Sequence, residues 1–73
     1  MTKEIVKICG LNKEEILLKL KIFEGFGVDF SVEENCLDAT ITLTSEAKRD
    51  VFETVKSRVY NAFEEEVYSA TEG

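Results

Sequence analysis

The sequence predicts an α+β domain, an antiparallel sheet with two helices on one face. Three observations predict it. Residues 28–33 and 37–44 alternate apolar and polar side chains with the period of a half-buried strand, and residues 3–9 are rich in β-branched residues. Two longer stretches, one after Asn12 and one after Ser45, repeat their apolar residues at helical spacing. The chain order is strand, helix, strand, strand, helix, with a candidate last strand at Val67-Tyr68. A chain of 73 residues makes one domain, and at ~60 residues only ~60% of the unfolded surface is buried, so the core must be thin.

The first strand, KEIVKIC, is rich in β-branched residues. Glu4, Val6 and Ile8 fall on one face; Lys3, Ile5, Lys7 and Cys9 fall on the other. Gly10 breaks it. Asn12 then reads as a helix N-cap with Glu15 completing a capping box, and Leu11 and Ile16 sit where a hydrophobic staple needs them. Ile16, Leu17, Leu20 and Phe23 mark the buried side, and Glu15 and Lys19 an outward i,i+4 pair. Gly25 or Gly27 ends the helix.

Val28, Phe30 and Val32 share a face in the second strand. Glu33-Glu34-Asn35-Cys36 reads as a polar turn in which Asn35 takes positive φ. Leu37, Ala39, Ile41 and Leu43 form the buried face of the third strand, and Cys36, Asp38, Thr40, Thr42 and Thr44 the exposed one. Thr44 or Ser45 caps the second helix, whose inner side carries Ala47, Val51, Phe52, Val55, Val59, Ala62 and Phe63. Glu64-Glu65-Glu66 opposes the dipole of a helix C-terminus, so the helix ends near there. The domain is expected over residues 1–68, with 69–73 a small polar, frayed tail.

This order is the split βαβ plan of ferredoxin-like domains, with strand order 4-1-3-2. The first and third strands become neighbours, which brings Cys9 and Cys36 to the same end of the sheet. They are either a redox-sensitive pair or two inert thiols; without a CxxC pair, and in a reducing compartment, inert thiols are the ordinary case.

Nine basic and fifteen acidic residues leave a net charge of −6. Residues 25–44 carry four carboxylates and no base. This balance weighs against nucleic acid and anionic lipid as partners. An RNA-recognition sheet needs aromatics on its outer face, whereas Lys3, Ile5, Lys7, Thr40 and Thr42 stand there. The GxxG loop of nucleic-acid-binding KH domains is missing, since Gly25-Phe26-Gly27 has other spacing and precedes a strand. There is no histidine, and adjacent acidic pairs such as Glu14-Glu15 diverge on a helix, so no catalytic constellation is legible. The opening MTKEIVKIC lacks the pattern of a secretory signal; a cytoplasmic protein without cofactor, metal or membrane span is expected. A glycine after the first strand also suits the approach of a small regulator, as in ACT-type domains, or simply a tight turn.

The segments KICGLNKEEI (residues 7–16), ATITLTSEAKRDVFETV (39–55) and NAFEEEVYSATEG (61–73) resemble, in that order, the KH-like middle domain of the competence/damage-inducible CinA family. The likeness spans nearly the whole chain. It implies a KH-like sandwich that links a molybdopterin-binding-like domain, associated with ADP-ribose pyrophosphate hydrolysis, to a nicotinamide-nucleotide amidase domain, and helps place them in a dimer. The signature residues of both catalytic domains are absent, so the resemblance implies a non-catalytic linking or interaction module. Expected partners are protein domains, including flanking domains of the same polypeptide or a second copy. The candidate contact residues are Lys7, Cys9, Gly10, Leu11, Asn12, Cys36 and Asp38, with the open sheet face beside them. A free-standing ACT-like regulatory domain is the alternative, and a KH-type nucleic-acid binder a weaker one.

Overall fold

The computed structural model describes residues 2–46 and 48–72. Strand β1 (Thr2–Ile8) leads into helix α1 (Lys13–Leu20) and a 3₁₀ turn (Lys21–Phe23); strands β2 (Asp29–Glu34) and β3 (Ala39–Ser45) follow, then helix α2 (Arg49–Ala62) and strand β4 (Val67–Glu72). The sheet order is β2-β3-β1-β4, every pair antiparallel. This is the two-layer α+β sandwich expected from the pattern, with the predicted strand order.

Alternation along the strands decides which face meets the helices. Val6 and Ile8 of β1 and Ala39, Ile41 and Leu43 of β3 are fully buried. Ile16, Leu20 and Phe23 come down from α1 and its 3₁₀ extension; Phe52, Val55, Val59 and Phe63 come from α2 and its C-cap. Phe23 and Phe30 sit with ring centroids 6.4 Å apart. On the open face, Lys7–Thr40–Glu33 and Ile5–Thr42–Ser31 form rows across β1, β3 and β2.

Glu4 shares the core parity and is buried. A buried carboxylate needs a hydrogen-bond partner, and the Tyr60 hydroxyl of α2 donates to it. Burial, reinforced by the bond to Glu4 and its charge, pushes the Tyr60 phenol well above its ordinary range.

Several expectations are corrected. The hairpin turn lies at Asn35–Asp38, where the Asn35 amide donates to the Asp38 carbonyl at 2.8 Å. It uses no positive φ at Asn35, since among the described residues none occurs outside glycine. This later turn puts Leu37 at the hairpin tip, 91% exposed rather than in the core. Leu17 and Val51 are also exposed, because each helix turns a narrower stripe to the sheet than the pattern suggested. Ser45 does not cap α2. It ends β3 and donates its hydroxyl to the Gly27 carbonyl at 2.7 Å, while Lys48 is the N-cap and offers no side-chain bond. Ala47 lies outside the described residues.

Lys19 reaches α2 instead of pairing with Glu15. Its ammonium donates to the Ala62 carbonyl at 3.2 Å, stands 3.6 Å from Glu66 and lies over the Phe63 ring. The last carbonyls of a helix lack partners and carry partial negative charge, which Glu64–Glu66 intensifies. A cation from α1 therefore offsets the C-terminus of α2. Strand β4 extends beyond Val67-Tyr68: residues 69–72, expected in the tail, continue it along β1, out to Glu4 opposite Glu72. The edge of β1 supplies backbone groups that such a segment satisfies without needing large apolar side chains.

Candidate functional site

The loop after β1 and the β2–β3 hairpin tip meet at one end of the sheet. The register sets this juxtaposition: Ile8 faces Ala39, so the residues just beyond each strand lie together. Between them opens a hollow of about 300 Å³ lined by Gly10, Leu11 and Asn12 on one side and by residues 34–38 on the other. Five of the seven residues singled out from the sequence line it: Gly10, Leu11, Asn12, Cys36 and Asp38. Lys7 and Cys9 lie beside it at the end of β1, outside the lining.

Gly10 has φ near +87°, which L side chains rarely adopt, and no atom lies within 4 Å of where a Cβ would stand. Its glycine is required by the turn rather than by a crowded contact. Asn12 then caps α1 as the spacing predicted. Its Oδ1 accepts from the Glu15 amide at 2.9 Å, and the Glu15 carboxylate accepts from the Asn12 amide at 3.4 Å. The Glu34 carboxylate, from the end of β2, accepts from the Lys13 amide at 2.9 Å. The first turn of α1 is thus served by two carboxylates and an amide oxygen of the protein itself.

Asp38 is the best-held group of the site. The Tyr68 hydroxyl donates to one carboxylate oxygen and Asn35 Nδ2 to the other, the latter at 3.0 Å. These two bonds, with a smaller contribution from the Lys7 charge, hold Asp38 below the usual carboxylate range. The same bond pushes the Tyr68 phenol up, with burial and the Asp38 and Cys9 charges adding to it. The Cys9 amide donates to the Glu66 carbonyl at 3.0 Å, joining this loop to the turn before β4. Both thiols are free and exposed.

Sequence reasoning missed Tyr68 and Glu34. Tyr68 falls where the β1–β4 register shifts between Lys7 and Ile8, and such an irregularity leaves no periodic signal. Among the described residues no group of three or more potential ligands is placed to hold a metal ion. Chemically, the hollow is a shallow, acid-flanked notch whose helix N-terminus already has its acceptors.

A second surface lies on the helical layer. Leu18, Ile22 and Phe26 expose 69%, 72% and 56% of their surface. With Phe23, Thr54, Val55 and Arg58, the last two of these three border a groove of about 230 Å³ between the 3₁₀ turn and α2. No family model matches the chain, and a search of curated proteins finds no match. No described helix is long and apolar enough to cross a membrane.

Proposed function

We infer that this domain is a non-catalytic interaction module that engages other protein domains. The observation that carries the reading is the exposure of Leu18, Ile22 and Phe26 in and just after the first helix, with Ile22 and Phe26 bordering one groove against α2. Large apolar side chains gathered on one surface of a small domain mark a contact surface. In the form that the resemblance to the CinA middle domain implies, the partners are catalytic domains of the same polypeptide and the module positions them. The contact surface favoured here is the helical layer rather than the open sheet, whose rows Lys7–Thr40–Glu33 and Ile5–Thr42–Ser31 are mostly polar.

Site-specific photocrosslinking in the cells that make the protein tests this. A photoreactive residue at Ile22 is expected to give a discrete protein adduct that Leu18→Glu abolishes, while one at Ser31 on the open sheet gives none. No discrete adduct from either position would refute the reading.

The notch between Gly10 and Asp38 favours a second reading, a small-ligand regulatory domain of ACT type. Its acid-flanked walls suit an amine-bearing ligand over a phosphate. Amide shifts confined to Gly10–Asn12 and residues 34–38 on titration with amino acids would support it, and silence there would dismiss it.

A further inference from the structure

We propose that the groove between the 3₁₀ turn and α2 receives an amphipathic helix of a protein partner, which inserts one large apolar side chain beside Ile22 and Phe26 and sets a carboxylate on Arg58. This rests on the interaction reading above and gives its partner a chemistry. The floor is apolar: Phe23 and Val55 are buried there, with Ile22 and Phe26 exposed at the rim. Among the described residues only two polar side chains line the groove, Thr54 and Arg58. The Thr54 hydroxyl is already committed, donating to the Asp50 carbonyl at 2.9 Å.

Arg58 is different. The residues three and four positions away, Thr54, Val55, Asn61 and Ala62, are all uncharged, so α2 offers it no i,i+3 or i,i+4 partner. The other cations of the helix are occupied: Arg49 lies 3.5 Å and Lys56 2.8 Å from the two oxygens of Glu53. Among the described residues no carboxylate pairs with Arg58. A chain of net charge −6 thus leaves a bare guanidinium at the mouth of an apolar groove. A planar donor fork is suited to bidentate capture of a carboxylate.

Size selects the occupant. Small-molecule sites run to ~300–1,000 Å³, and this groove holds about 230 Å³. It suits one anchoring side chain of the kind that dominates protein interfaces. Ile22 stands in the 3₁₀ turn and Phe26 in the loop that follows it, and both border the groove. An amphipathic helix presents such an anchor from one face, with a carboxylate three or four residues away on the same face. A second copy of this chain would bring six net negative charges against six, whereas a partner helix needs only a carboxylate one turn from its anchor.

The test uses three fluorescein-labelled helical peptides of one amphipathic sequence. The first carries a central Phe with Glu one turn on either side; the second has Lys for both Glu; the third has Ala for Phe. Binding is read by anisotropy and by amide shifts of the protein. The acidic Phe peptide is expected to shift Ile22, Phe26, Thr54 and Arg58. Arg58→Glu, at an exposed helical position, should keep the fold by circular dichroism. It should weaken that peptide roughly tenfold and reverse the preference toward the Lys peptide, because like charges then face each other across the contact. The Ala peptide should bind weakly to both forms. Shifts in the groove that ignore the charge at position 58 would overturn the proposal but leave the interaction reading intact. Shifts on the sheet face, or none with any peptide, would also overturn it, while the crosslinking from Ile22 judges the broader reading separately.

Discussion

Replacing Tyr60 with Phe removes one oxygen and leaves the Glu4 carboxylate, 6% exposed, without the only hydrogen bond it accepts among the described residues. Leaving a buried acceptor unsatisfied costs ~1–3 kcal/mol, and more for a charged one. A domain of this length has ~4–11 kcal/mol in total at ~0.05–0.15 kcal/mol per residue. At ~4–8 °C per kcal/mol for a domain of this size, Tm should fall by roughly 5–20 °C. The decisive comparison is the double variant Tyr60→Phe/Glu4→Met, in which both partners become apolar. It should recover most of the loss, because replacing a buried polar pair by apolar groups is close to neutral. Thermal unfolding followed by circular dichroism reads all three proteins. A shift below about 2 °C for the single variant, or a double variant less stable than the single, would refute the assignment of Glu4 to the core. The raised Tyr60 phenol adds a pH signature. A group whose folded pKa exceeds its unfolded value contributes stability that is complete below the unfolded value, ~10 for tyrosine, and is lost as pH rises toward the folded one. The parent protein should therefore lose stability above about pH 10, and Tyr60→Phe should lose less.

Other outcomes follow from the same geometry. Leu43→Ala should cost ~2–5 kcal/mol, whereas Leu37→Ser at the hairpin tip should stay within ~0.5 kcal/mol; equal effects in urea unfolding would contradict the placement of the turn. Tyr68→Phe should raise the Asp38 pKa toward the ordinary carboxylate value in an NMR titration, and an unmoved titration would mean that Tyr68 does not hold it. Asn12→Ala should cost ~0.5–2 kcal/mol by loss of the cap, with the largest loss of amide protection in the first turn of α1; uniform loss along the helix would point elsewhere.

The capping box of α1, the parity of β1 and the alternation in β3 were legible because each is a local periodic or short-range signal. So was the sheet order, since a right-handed crossover and a hairpin leave few alternatives. The convergence of Gly10–Asn12 with Cys36 and Asp38 follows from that order alone. The position of the turn did not, because Leu37 continues the alternation of Ala39, Ile41 and Leu43 and only the pairing of Asn35 with Asp38 breaks it. Periodicity reports which side chains share a face, but not where a strand stops being paired.

Composition and pattern by themselves determined an acidic α+β fold, its strand order and its core face. Tertiary structure decided what no local signal carries: that Lys19 leaves its own helix to serve the end of α2, that Tyr60 and Tyr68 meet Glu4 and Asp38, and that Ile22 and Phe26 stay uncovered beside Arg58. These contacts join residues 30 to 56 positions apart, or depend on how widely two helices stand on the sheet. Such distances are set by the packing of the whole core.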